Sequence, residues 1–167
     1  LCILGTGFGS IAHIPSFHQN NKVEIISIFG RNIKKLKFLR KKNKIKNYYT
    51  NFDDLINNCN ADFYSVALPP AQQFYYIKKI LKYKKKPVLC EKPFTSSYNQ
   101  AKELKELAIK NKCKSFVSYQ MRFQPIRQKI KKLINKKALG KILNINLSFD
   151  YSSRLYPEFK YNWWSDK

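Results

Sequence analysis

Short apolar runs alternate along the chain with stretches of helical spacing. Leu1-Cys2-Ile3-Leu4, Val23 to Phe29, Phe63 to Leu68, Val88 to Cys90 and Ser115 to Ser118 are each too short for a helix and read as strands. Strands separated by helical segments imply a parallel sheet, and their unbroken apolar character fits strands covered on both faces. Ala101, Leu104, Leu107 and Ala108 form one apolar stripe, with Ser96 or Ser97 placed to cap the start of the helix. Phe123, Ile126, Ile130, Leu133 and Ile134 form a second, in which Pro125 fixes the first turn. After Gly140 the pattern changes to period two through Ile142, Ile145, Leu147 and Phe149, which predicts a half-exposed strand of a different sheet. The expected fold is therefore α/β. A Rossmann-type doubly wound parallel sheet (residues 1–120) precedes the start of a second α/β domain with an open, mainly antiparallel sheet (residues 121–167). No internal repeat or low-complexity linker interrupts it.

Composition refines this picture. With 167 residues, 44% of them hydrophobic and 15% aromatic, the chain can bury a substantial core. No run approaches the roughly 20 apolar residues of a membrane span, and no leader pattern opens the sequence. Together these predict a soluble, cytoplasmic protein. The opening run looks like the tail of a strand and the second domain looks barely begun, so the chain is expected to be a truncated piece that is inactive by itself. Cys2, Cys59, Cys90 and Cys113 form no C-x-x-C pair and have no histidine beside them, which predicts free thiols and no metal site.

The formal net charge of +23 is the strongest compositional signal and invites a nucleic-acid reading. However, the lysines cluster at 34–46, 78–86 and 129–137, interleaved with apolar residues at helical spacing, as on solvated helix faces. Asparagine and isoleucine are abundant beside lysine, a joint bias that AT-rich coding DNA produces without any partner. A nucleic-acid partner is accordingly the weaker expectation.

Three motifs carry chemistry. Gly5-Thr6-Gly7-Phe8-Gly9-Ser10 follows the first strand and precedes a helical segment, the context a dinucleotide fingerprint requires. Gly5 allows the tight turn, and Gly7 lets the backbone approach a pyrophosphate. The helix that follows offers unpaired N–H groups to that anion, and Ser10 stands where a third glycine serves only close packing. The second strand ends in Gly30-Arg31-Asn32 instead of a carboxylate. Nothing there repels a 2′-phosphate, and a guanidinium can grip one, so NADP is favoured over NAD; the alternative is an Arg31 that is simply exposed or stacks on the adenine. Glu91-Lys92-Pro93 lies at the carboxyl end of a predicted strand, the edge where doubly wound sheets bind ligands. A lysine there can donate to a substrate oxygen or relay a proton. His13 and His18 both fall on the first helix; neither makes a convincing catalytic base, and His13 is expected to be partly exposed near the cofactor.

The glycine turn, Leu68-Pro69-Pro70, Cys90-Glu91-Lys92-Pro93 and Gln120-Met121-Arg122-Phe123-Gln124-Pro125 occur in the order seen in one oxidoreductase family. With these motifs the chain resembles the glucose-fructose oxidoreductase/inositol dehydrogenase/rhizopine-catabolism (Gfo/Idh/MocA) family over nearly its whole length. That resemblance implies hydride transfer between NADP or NAD and a sugar, polyol or related hydroxy or keto compound, with Lys92 beside substrate and nicotinamide as the catalytic group. Glu91, Leu68, Pro69 and Gln120 would contact the cofactor. Gln73 stands where relatives carry a histidine, so an amide would replace that contact. Arg122 would face the cofactor cleft together with Gln120, with a role in packing or at a helix start as an equal alternative. Tyr161 to Lys167 resembles the segment that in this family precedes a glycine-rich turn and the active-site aspartate and histidine. The full-length protein would associate with itself. A non-catalytic dinucleotide-binding regulator is the alternative, against which the retained Lys92 argues.

Overall fold

The computed structural model of the chain describes residues 1–148. It divides into two compact units, Leu1–Tyr119 and the residues from Gln120 onward, which places the division one residue before the expected boundary and puts Gln120 in the second unit.

The first unit is a six-stranded, all-parallel sheet. Its strands are β1 (Cys2–Leu4), β2 (Ser27–Phe29), β3 (Asn47–Tyr49), β4 (Tyr64–Val66), β5 (Val88–Glu91) and β6 (Phe116–Ser118), in the spatial order β3-β2-β1-β4-β5-β6. The order reverses between β1 and β4, so the carboxyl ends of these two strands flank the crevice where doubly wound sheets bind ligands. Every residue of β1, β2 and β4 is buried, which matches their continuous apolar character.

Helices cover both faces of the sheet and divide the core in two. Tyr64, Val66, Leu55, Ile77, Ile80, Leu81 and Leu104 pack on one side, whereas Ile3, Ile14, Ile28, Leu36 and Leu39 pack on the other. Local chemistry sets where the helices begin. The Asn32 side chain accepts the Lys35 N–H to start α2 (Ile33–Lys42), and Asn51 accepts from Asp53 and Asp54 to start α3 (Phe52–Asn58). The Leu68-Pro69-Pro70 segment opens α4 (Pro70–Lys79), with Pro70 at a position whose N–H would lack a partner in any case. Of the two serines expected to cap α5 (Tyr98–Lys110), Ser97 does so, accepting from Gln100.

Two elements of this unit differ from expectation. Strand β3 has no apolar run: Asn47-Tyr48-Tyr49 is exposed or half-buried at the sheet edge, and only its ladder with β2 makes it a strand. The first helix begins as a π-turn (Gly9–His13) and becomes α-helical only over α1 (Ile14–His18). Ile14 donates to the Gly9 carbonyl, five residues back, and Pro15 has no N–H to give the Ile11 carbonyl.

The second unit opens with a 3₁₀ turn over Gln120–Phe123, followed by α6 (Pro125–Asn135), the helix expected from its apolar stripe and from Pro125. The strand expected from Ile142 onward does not form within residues 142–148, which pair with no described ladder partner. A period-two pattern supplies a face but not the neighbour that satisfies its backbone. Phe149 and the Tyr161 to Lys167 segment lie outside the described residues. All four cysteines are free and buried. Among the described residues no cluster of side chains is suited to hold a metal ion, and no helix is long and apolar enough to cross a membrane.

Candidate functional site at the carboxyl edge of the sheet

The glycine turn leaves β1 at the crevice, and each of its glycines meets a different neighbour. Gly5 has a φ of +112°, and a Cβ there would fall on the Ala67 carbonyl oxygen at the end of β4. Its N–H donates to Phe29 at 2.9 Å, which fixes the turn to the end of β2. A Cβ on Gly9 would come within 3.2 Å of Ile3, so this glycine lets the helix pack onto β1. Around Gly7, by contrast, nothing lies within 4 Å of where a Cβ would be, and the residue is exposed. Its backbone is thus open to a ligand, the property a pyrophosphate cradle needs. Ser10, in place of the third glycine, closes the turn by donating to the Thr6 and Gly7 carbonyls at 2.8 and 2.9 Å. Phe8 stands exposed at the helix start.

At the end of β2, a Cβ on Gly30 would press to 2.7 Å from the Thr6 methyl. The smallness of Gly30 is therefore required by packing against the glycine turn. Arg31 and Asn32 follow, both exposed, and no carboxylate occupies this strand end. Leu68 lies against Gly5, 3.4 Å from the position of its missing Cβ. The turn, Leu68 and Pro69 are thereby brought together, although more than 60 residues separate them in sequence.

The end of β5 departs most from expectation. Gln73 is fully buried, and its amide is committed to the backbone of the Glu91-Lys92-Pro93 segment. Its Nε2 donates to the Glu91 and Pro93 carbonyls at 3.0 and 2.9 Å, and its Oε1 accepts the Glu91 N–H at 3.1 Å. The cofactor contact expected of Gln73 is replaced by this brace, because both of its N–H donors are committed to the backbone and the fully buried side chain presents no surface to a ligand. Lys92, directly after the braced Glu91, is exposed at the carboxyl end of β5.

His13 also departs from expectation: it is buried, with 6% of its surface exposed. The π-turn carries its ring inward between two strands. Its Nδ1 lies 2.6 Å from the Ser65 hydroxyl of β4, and its Nε2 lies 3.0 Å from Glu91 Oε1. Glu91 is itself buried. Burial alone pushes its carboxyl up, but hydrogen bonds from His13, Ser118 and the Lys92 backbone outweigh this and hold it below the ordinary carboxylate value. Glu91 therefore faces His13 in the interior. The Ser-His-Glu order resembles that of a hydrolytic triad, but Ser65 has no exposed surface, so no substrate reaches its hydroxyl. Neither Ser65 nor the inward turn of His13 is signalled by the sequence, since a serine inside an apolar strand looks like any small core residue. Of the expected contacts, Gly5, Thr6, Gly7, Phe8, Gly9, Ser10, Arg31, Leu68, Pro69, Glu91 and Lys92 belong to the first unit, while Gln120 opens the second.

A doubly wound sheet with a glycine turn at its switch point, an open Gly7 and a lysine at the end of β5 defines a dinucleotide-binding Rossmann domain. The comparisons place it further. The chain belongs to the Gfo/Idh/MocA family, whose model, an oxidoreductase family with an NAD-binding Rossmann fold, matches residues 1–119. An uncharacterised oxidoreductase of Synechocystis is 28% identical over 167 residues, covering 100% of this chain and 45% of that protein. The fold is shared with an Agrobacterium radiobacter oxidoreductase solved with NAD+, L-tartaric acid and magnesium (TM-score 0.78, 22% identity, 84% of this chain and 41% of that one). It is shared equally with Lactobacillus casei scyllo-inositol dehydrogenase with bound NAD(H) and scyllo-inositol (TM-score 0.78, 17% identity, 84% and 42%). The chain thus spans less than half the length of these relatives.

Proposed function

We propose that this chain is the dinucleotide-binding part of an oxidoreductase acting on a sugar, polyol or related hydroxy or keto compound, with Lys92 as its catalytic group. The observation that carries this reading is the placement of Lys92. It follows the buried, braced Glu91 at the carboxyl end of β5, on the same sheet edge as the open glycine turn. The turn would hold the pyrophosphate through its backbone, with Leu68 and Pro69 along the crevice. The nicotinamide supplies the hydride acceptor or donor. Lys92 would polarise the substrate oxygen and carry its proton, while Glu91 fixes the backbone from which Lys92 extends. The relatives solved with inositol and tartrate motivate the substrate class.

NADP is favoured over NAD because Arg31 and Asn32 follow β2 with no carboxylate beside them. The whole protein is proposed to be cytoplasmic and self-associating, with 1–120 as its cofactor domain. In the intact protein, Lys92→Ala is expected to lower turnover on its polyol or sugar substrate about 10²- to 10⁴-fold. The dinucleotide dissociation constant should move less than tenfold. Steady-state kinetics with calorimetric titration checks both, and unchanged turnover would overturn the assignment of Lys92.

A further inference from the structure

Ser65, His13 and Glu91 form a buried chain of side-chain hydrogen bonds that crosses three segments of the carboxyl edge. A neutral imidazole with its proton on Nε2 satisfies every partner: Nε2–H donates to the Glu91 carboxylate, and the Ser65 hydroxyl donates to Nδ1. Each end of the chain meets a part of the proposed site. His13 belongs to the helix that leaves the glycine turn, and Phe8 packs edge-on against its ring at 5.7 Å. Glu91 immediately precedes Lys92, whose backbone N–H helps to hold its carboxylate. Any movement of the turn that displaces His13 therefore removes a donor from a buried carboxylate next to Lys92, a costly loss inside a fold.

We propose that His13 is a positioning residue that couples occupancy of the glycine turn to the placement of Lys92, through Glu91. The coupling rests on the dinucleotide reading above. The π-turn is part of the device, because it directs His13 inward while the turn remains free to meet the ligand. A histidine that served only to fill the core would stabilise the fold equally with the turn empty or occupied.

The test uses the intact protein and its His13→Leu, His13→Asn and His13→Gln variants. Dissociation constants for NAD+ and NADP+ are measured by calorimetry. The acylation rate of Lys92 by an amine-directed reagent is followed by mass spectrometry of its peptide, with and without dinucleotide. In the wild type, dinucleotide should change that rate several-fold. His13→Leu should abolish the response and weaken binding about tenfold. His13→Asn keeps a polar group, but one too short to span from Ser65 to Glu91, and should lose the response even if His13→Leu fails to fold. His13→Gln, whose longer amide reaches toward Glu91, should restore it. A full Lys92 response in a folded His13→Asn or His13→Leu variant would overturn the coupling, as would wild-type binding that leaves Lys92 unaffected. Failure of the wild type to bind either dinucleotide would instead overturn the dinucleotide reading itself.

Discussion

At the scale of single residues, the site is defined as much by what is missing as by what is present. Gly5 and Gly30 are small because Ala67 and Thr6 occupy the space a side chain would need, whereas Gly7 is small where nothing does. A glycine needed inside the fold and a glycine kept open for a ligand look alike in the sequence; only the surroundings separate them. Arg31 was legible at once, because the residue after β2 is identified by counting from the glycine turn. It is exposed, so its replacement should leave the fold intact. Arg31→Ala is expected to weaken NADP+ binding about tenfold or more, the loss of one charge-assisted contact, and to leave NAD+ binding nearly unchanged. Paired titrations with the two cofactors check this, and an equal effect on both would remove Arg31 from the 2′-phosphate site. His13 and Gln73 share one feature that the sequence does not signal: both are polar residues on the helical side of the crevice that turn inward, where such residues are more often exposed. Burial was affordable only because Ser65, Glu91 and the backbone of Glu91 and Pro93 supply partners from distant segments.

At the scale of elements, the strands buried on both faces and the helices with apolar stripes were readable, because burial leaves a periodic trace. The edge strand β3 left none. Its polar residues gain their extended form from the ladder to β2 and from the helix that must begin directly after it. Asn51 sets that start by accepting two N–H groups, at 2.8 and 3.2 Å. Asn51→Ala should cost about 0.5–2 kcal/mol of unfolding free energy, measured by urea titration, because those donors lose their acceptor. A cost near zero would mean that water caps α3 equally well. The first helix teaches a related lesson. Pro15 is visible in the sequence, but that its missing N–H would widen the preceding turn into a π-turn, and so direct His13 inward, depends on the strands it packs against.

At the scale of the whole molecule, the net charge of +23 is compatible with the fold because none of the lysines among the described residues is buried. Among the described residues the buried Glu91 is the exception to a basic and solvated charge distribution, and it ties stability to pH. Its carboxyl titrates below the ordinary value in the folded state, so the folded protein binds its proton less readily than the unfolded chain. The resulting stabilisation is present in full above the unfolded carboxylate range, about pH 4.3, and is lost as pH falls through the folded value. Unfolding midpoints measured from neutral pH to pH 3 should therefore show a gap between the wild type and Glu91→Gln that narrows on acidification. A constant gap would show that the charge of Glu91 contributes nothing to the fold.

The sequence by itself determined the alternation of strands and helices, the dinucleotide-type turn and the position of Lys92, because each depends on local spacing or on burial periodicity that the chain records directly. Tertiary structure alone decided which polar residues were turned inward, that β3 joined the sheet, and that a serine, a histidine and a glutamate from three separate segments met beneath the crevice. The physical reason is that a hydrogen bond between side chains 52 or 78 residues apart is fixed by sheet order and helix rotation, which no local pattern encodes.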